Sequence, residues 1–315
     1  MSAAPPAASV VVITRNRRAS LARTLAGIAR LDHPSFEVIV VDNASTDGTR
    51  EVVREAGVRY VFSAARNGIS RTRQIGVEAA RGEIVAMCDD DCVPEPDWLR
   101  RMIDRFAGDE RLALVGGRVI NVGFPGRRQF KGTSRLVGPN GLMEFVEDPA
   151  DAEFFGNLNL ALRRRAVEEV GGYDPFLKAG REELDLAATL RRSGWRTGYE
   201  PAAVVTHHFT GVNYKRGRLI YGAPLMRLYF HLKHQPPHGG AAWRRFAADE
   251  LAILRRDVVR ALRMTAAAVA RGQVRRLPEL AVEWLNLFAA RALVPWLRVR
   301  ARRAARLAAA GGEAR

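Results

Sequence analysis

Ile84-Val85-Ala86-Met87-Cys88-Asp89-Asp90-Asp91-Cys92-Val93-Pro94-Glu95-Pro96-Asp97-Trp98 is the stretch on which the reading of this chain turns. Ile84 to Met87 is a short apolar run of the kind that forms a buried strand. Pro94 and Pro96 stop that strand, and the pattern from Trp98 opens a helix. Between them stand three adjacent carboxylates. Such a cluster at the end of a core strand repels itself unless a cation sits among it. The expectation is a divalent-metal site that holds a phosphate-bearing ligand. On an extended backbone residues 89 and 91 point one way and residue 90 the other.

The same strand-then-helix grammar runs outward from this stretch. Residues 9–13, 36–41, 58–62 and 83–88 read as apolar strands. Helices are expected between them at 49–56 and 70–80. Another follows residue 20, with Ser20 as N-cap and Leu21, Leu25, Ile28 and Leu31 at helical spacing. Downstream, a helix over 98–106 leads to a strand over 113–121. Residues 122–153, rich in Gly, Pro and charge, read as a long connection. A strand over 154–162, a helix over 163–170, a helix over 182–194 and a strand over 195–205 follow. Alternating strands and helices imply βαβ units and a mainly parallel α/β sheet. In such sheets ligands bind off the carboxyl ends of the strands. The unusual polar clusters fall there: Thr14-Arg15, Asp42-Asn43, Asn67-Gly68 and Asp89-Asp90-Asp91.

Charge divides the 315 residues in two. Residues 1–214 hold 29 Lys+Arg and 28 Asp+Glu, whereas residues 215–315 hold 21 and 6. The last third therefore calls for an anionic partner. Its apolar residues recur at helical spacing, as at Leu251, Leu254, Val258 and Leu262. That pattern suits amphipathic helices lying on an anionic membrane surface, or helices packed on the protein itself. Nucleic acid is disfavoured because no basic motif is interleaved with aromatics. Two cysteines make no disulfide framework and suit a reducing, cytoplasmic compartment. Residues 1–8 lack the basic start and apolar core of a signal peptide and read as a disordered tail. No window of 18 uncharged apolar residues occurs.

Val10-Val11-Val12-Ile13-Thr14-Arg15-Asn16-Arg17, Val41-Asp42-Asn43-Ala44-Ser45-Thr46-Asp47-Gly48-Thr49 and the acidic triplet, followed by Gly171-Gly172-Tyr173-Asp174 and Glu182-Glu183-Leu184-Asp185-Leu186, together resemble a family 2 glycosyltransferase. The resemblance covers roughly residues 8–210. It implies a GT-A-type, Rossmann-like fold over residues 9–212, with residues 9–121 binding a nucleotide-sugar and residues 122–212 the acceptor. Residues 213–315 form a basic helical extension outside the shared core. It implies inverting transfer, with Mn2+ or Mg2+, from a UDP-, dTDP- or GDP-sugar to a hydroxyl of a glycan, glycolipid or lipid-linked saccharide. The setting is cell-envelope polysaccharide synthesis at the inner membrane face.

By the same resemblance Asp91 ligates the metal, and Asp89 and Asp90 serve metal or ribose. Asp42 takes a hydrogen bond from the base, and Thr14, Arg15 and Asn16 line its pocket. Asn67 and Arg73 face the donor, and His207 completes the metal shell or meets the diphosphate. Asn157 and Asn159 contact the sugar or cap backbone. Inversion needs a base for the acceptor hydroxyl. The family pattern has Glu-Asp at a helix start, whereas this chain has Glu182-Glu183. Glu183 stands at the base position, with Glu182 the alternative. A nucleotidyltransferase would need a glycine-bearing phosphate loop after the first strand, and Thr14-Arg15-Asn16-Arg17 has no glycine. A binding module without catalysis is the remaining alternative.

Overall fold

The computed structural model describes residues 7–63, 68–123, 132–138, 140–178, 180–208, 223–273 and 277–313. Its centre is an eight-stranded sheet. Four parallel strands form one half: β1 (Ala8–Thr14), β2 (Phe36–Asp42), β3 (Arg59–Phe62) and β4 (Ile84–Asp89). The other half contains β5 (Cys92–Pro94), β6 (Leu112–Val122), β10 (Asn159–Arg163) and β11 (Arg196–His208). The order is β3-β2-β1-β4-β10-β6-β11-β5. β10 runs antiparallel to both neighbours, and β5 antiparallel to β11. β1 is buried on both faces, which is why its sequence is a continuous β-branched run rather than an alternation.

Helices cover both faces. α1 (Arg18–Ile28), α2 (Thr49–Glu55) and α4 (Trp98–Phe106) pack Leu21, Leu25, Val53, Trp98 and Met102 onto Val10, Val12 and Val40. On the other face α3 (Ile69–Ala79), α5 (Arg164–Glu169) and α6 (Glu182–Arg192) pack Val77, Val167, Leu186 and Leu190 onto Val11, Ile39, Val85 and Met87. Trp98 is fully buried, and its indole N–H donates to Asn159 Oδ1 at 2.7 Å.

Three expectations need correction. Ser20 is not the N-cap of the first helix. α1 begins at Arg18 without a capping side chain from its own residue 17, and Asp47 Oδ2 accepts from Arg18 N at 3.0 Å. The cap comes from the neighbouring loop, where local sequence does not show it. The connection 122–153 contains regular structure: β7 (Thr133–Leu136) pairs with both β8 (Met143–Phe145) and β9 (Phe154–Phe155) as a small second sheet. The expected strand over 154–162 is thereby split, with β9 in one sheet and β10 in the other. Finally, residues 206–208 lie within β11 rather than beyond it.

The C-terminal helices are α7 (Ala223–His234), α8 (Gly239–Ala270), α9 (Leu277–Ala292) and α10 (Val294–Glu313). Pro236-Pro237 separates α7 from α8, as proline must. Leu225, Tyr229 and Leu232 of α7 form a third core with Phe176, Leu177, Phe246, Leu297 and Ala301. Phe230 points the other way, into the core beneath the sheet.

Candidate active site

The acidic triplet is a turn, not a stretch of strand. β4 ends at Asp89, Asp90-Asp91 reverse the chain, and β5 leaves to pair with β11. The alternation expected of an extended backbone therefore stops at Asp89. Asp90 turns inward, where Thr14 Oγ1 donates to it at 2.7 Å and Arg17 Nη1 at 2.6 Å. Burial pushes its carboxyl up to about 7, with Arg17 and Thr14 partly offsetting that rise. Asp91 shares the same Arg17 nitrogen at 2.9 Å. Burial tends to raise the Asp91 carboxyl, but His207 and Arg17 outweigh it and hold the group below the usual carboxylate range.

The β5–β11 pairing sets Cys92 opposite His207. It brings His207 Nε2 to 3.5 Å from Asp91 Oδ1. The His208 backbone N–H donates to the Asp91 carbonyl at 2.8 Å. The other ring nitrogen of His207, Nδ1, lies 2.8 Å from Asn121 Oδ1. Asp89 is the outward member of the triplet, partly exposed, and accepts from Arg73 Nη2 at 3.0 Å. The cysteines flanking the triplet are buried free thiols. Among the described residues no group of three or more His, Cys, Asp or Glu is gathered as a metal cage.

On the nucleotide side, the parallel register sets Thr14 level with Asp42, and Ile13 level with Asp89. Asp42 is buried and accepts from Ser45 N at 3.0 Å and from Tyr60 Oη at 2.8 Å. Asn16, at φ 51°, accepts from Thr46 N at 2.7 Å, while its own N–H donates to Ser45 Oγ at 2.8 Å. It clamps the β1–α1 loop to the β2–α2 loop. Arg15 Nε and Asn43 Oδ1 are buried without a hydrogen-bond partner among the described residues. An unsatisfied buried polar atom is costly, and here two stand at the ends of adjacent strands. Asn67 lies outside the described residues.

On the far side, Arg73 of α3 is buried and joins the triplet to the start of α6. Its Nε donates to Glu182 Oε1 at 3.4 Å, while Nη2 holds Asp89. Asn157 Nδ2 donates to Glu182 Oε1 at 3.4 Å and to Glu183 Oε2 at 3.5 Å. Tyr173 Oη donates to Asn157 Oδ1 at 2.7 Å and so orients the amide. Gly172, at φ 77°, lets this segment approach α3: a Cβ there would lie 2.1 Å from Gln74 Oε1, which accepts from Tyr173 N at 2.9 Å.

Burial, and then Glu182, push the Glu183 carboxyl up to about 8. Burial also raises Glu182, against the pull of Arg73. The two glutamates are thus inequivalent: Glu182 is paired with the Arg73 guanidinium, whereas Glu183 accepts from the Asn157 amide. Asn157 belongs to this site. Asn159 does not, being spent on Trp98, Arg118 O and Ala203 O.

Arg17, Tyr60, Asn157 and Tyr173 carry contacts that spacing alone does not assign. The signal for Arg17 is a second arginine following the first strand in a segment that carries no acid of its own. The comparisons with known proteins bear on the family and the fold. A sequence model described as Glycosyl transferase family 2 matches residues 9–171. The chain is 29% identical over 191 residues to the glycosyltransferase AglE of Haloferax volcanii, covering 57% of this chain and 60% of that protein. It is 29% identical over 176 residues to a glucosyl-dolichyl phosphate glucuronosyltransferase of the same organism, covering 53% and 55%. The chain thus spans between half and two thirds of these curated relatives.

Among solved structures, a mannosyltransferase from Pyrobaculum calidifontis in complex with GDP-Man and Mn2+ superposes with a TM-score of 0.55 at 20% identity, covering 93% of this chain and 88% of that one. The mixed, mainly parallel sheet flanked by helices is the GT-A fold, and the chain belongs to glycosyltransferase family 2.

Proposed function

We propose that this chain is an inverting, divalent-metal-dependent glycosyltransferase that moves a sugar from a nucleotide-sugar donor to a hydroxyl of a saccharide or lipid-linked acceptor. The observation that carries the reading is a continuous chain of polar contacts, Asp89–Arg73–Glu182–Asn157–Glu183. It ties the acidic turn, where a leaving diphosphate would sit, to a carboxylate poised to accept a proton.

Glu183 is the base. A carboxyl raised to about 8 is a far better proton acceptor than an ordinary one once ionised. Glu182 is the positioning partner, because Arg73 already claims its charge. Asp42, Arg15 and Asn43 sit where a nucleobase would supply the partners that Arg15 Nε and Asn43 Oδ1 lack. Donors carrying UDP, dTDP or GDP remain the class, and the GDP-Man complex of the Pyrobaculum mannosyltransferase supports it.

The residues present fit a cation at Asp91 and His207. Nδ1 of His207 faces an amide oxygen, which only accepts, so that nitrogen carries the hydrogen. Nε2 then faces Asp91 Oδ1 at 3.5 Å, and these two side chains would hold the cation. A carboxylate oxygen with an imidazole nitrogen suits Mn2+. When bound there, the cation would offset the charge of the leaving diphosphate. A lipid-linked acceptor draws support from the dolichyl-phosphate substrate in the name of one relative.

The test is transfer and donor hydrolysis by folded Asp91→Ala and Glu183→Gln proteins. Loss of Mn2+-dependent turnover in the first, and of transfer in the second, is expected. Full activity in both sinks the reading.

A further inference from the structure

The helix α8 has two apolar faces, and the fold uses only one. Phe246, Ile253, Ala261 and Ala268 are buried against the protein. On a different side of the helix, Leu251, Leu262 and Val269 are 68%, 55% and 60% exposed. They are spaced 11 and 7 residues apart, which on a 3.6-residue helix puts them on one line. Val258 and Val259 widen that line, and Leu254 lies beside it.

Arg244 and Arg255 fall on the same line, and Arg263 flanks it; all three are exposed. None of the three makes an ion pair among the described residues. Two of the acids on this helix are already paired elsewhere: Glu250 takes Arg227 at 2.6 Å and Arg291 at 3.3 Å, and Asp257 takes Arg256 at 3.6 Å. Exposed Phe288 of α9, and Val299 and Leu307 of α10, repeat the apolar motif, again with exposed arginines nearby in α10.

We propose that the outer face of α8 is a docking surface for an anionic lipid bilayer, with Leu251, Leu262 and Val269 entering the acyl boundary and Arg244, Arg255 and Arg263 meeting lipid phosphates. Charge decides the occupant. A second copy would bring this excess of 21 basic over 6 acidic residues against itself, whereas a leaflet of anionic lipid neutralises it. The apolar line separates the surface from a purely electrostatic one, which would need no exposed leucines. Among the described residues no single helix is long and apolar enough to cross a membrane, so the geometry is that of a helix lying in the interface. The inference does not depend on the sugar-transfer reading.

The full chain is floated with vesicles of phosphatidylcholine alone and of phosphatidylcholine with phosphatidylglycerol. Binding to the anionic vesicles alone is expected, weakening with salt. A triple variant R244Q/R255Q/R263Q should partition about a hundredfold less, at roughly fivefold for each arginine, the equivalent of ~1 kcal/mol per basic residue near an anionic surface. L251D/L262D should abolish binding while keeping the wild-type melting temperature and donor hydrolysis. No anionic binding by the wild type overturns the proposal, as does equal binding by both variants. A dimer in light scattering that L251D/L262D dissolves, without vesicle binding, assigns the face to a second copy instead.

Discussion

Glu183→Gln tests the site most directly, because the structure sets both the size and the pH dependence of its effect. Gln keeps the shape of the side chain and an oxygen for Asn157, but has no proton to exchange. With the wild-type carboxyl raised to about 8, roughly a tenth is ionised at pH 7 and about nine tenths at pH 9. Turnover limited by this base should therefore climb close to tenfold between those values and level off above them. Loss of a general base removes about 10²–10⁴-fold in rate, and the alkaline limb should vanish with it.

Stability supplies an independent check. The Glu183 carboxyl is raised above its unfolded value, so the native state holds its proton more tightly. That contribution is complete below the unfolded value and is lost as pH rises through about 8. Wild-type unfolding free energy should fall across that window, and Glu183→Gln should flatten the fall. The assay is nucleoside diphosphate release with Mn2+ across this pH range, beside urea titrations of both proteins. A Glu183→Gln protein that keeps the limb, or loses less than about threefold in rate, would refute the assignment.

Arg73→Met should be the structurally damaging neighbour. It strips the cation from Glu182 and Asp89 together, and a buried charge left unpaired costs about 3–5 kcal/mol, read by urea unfolding, with Arg73→Lys recovering part. Lys233→Met should destabilise by a similar ~3–5 kcal/mol at neutral pH, since Lys233 Nζ holds Asp185 at 2.7 Å and Asp174 at 2.9 Å. Burial would raise the Asp185 carboxyl, but Lys233 and His234 outweigh it and lower the group. Its stabilisation is therefore present above the unfolded carboxylate value and fades as pH falls, so the gap between Lys233→Met and wild type should narrow in acid. Donor with Mn2+ at a hundredfold excess over its Kd should stabilise the fold by ~2.7 kcal/mol. A thermal-shift screen of UDP-, dTDP- and GDP-sugars should find one such nucleotide, and chelation or Asp91→Ala should remove the shift.

The parallel half of the sheet was readable because it is built from local signals. The residues of β1, β2 and β4 are apolar runs ended by polar clusters, and their in-register pairing sets Thr14, Asp42 and Asp89 along one edge. The other half depends on long-range pairing. Three-residue β5 carries Pro94, which makes sense only on an edge strand, and no periodicity exists in so short a piece. The turn at Asp90-Asp91 follows from that pairing, since the chain must reverse to reach β11. Sequence therefore located the carboxylates at the strand end and pointed them wrongly. The cap of α1 failed for the same reason: Asp47 reaches Arg18 N from another loop.

The basic third of the chain shows how a charge total hides two different uses. Arg227, Lys233 and Arg291 are inside, each answered by a buried or half-buried carboxylate. Lys233 and His234 seize Asp185, two residues past Glu183 on the same helix. Tyr229 Oη and Lys233 hold Asp174, next to the Tyr173 that orients Asn157. One face of α7 thus braces both the helix that carries Glu183 and the loop that carries Tyr173. Lys233 is bound by acids of the sheet domain, whereas Arg227 and Arg291 are bound by Glu250 of α8, so these cations are already neutralised within the protein. The arginines of α8 and α10 that find no such acids are the ones left facing outward. A count of 21 against 6 predicts an anionic partner for the whole segment, whereas pairing leaves only the exposed arginines of its later helices available for one and ties α7 to the sheet domain.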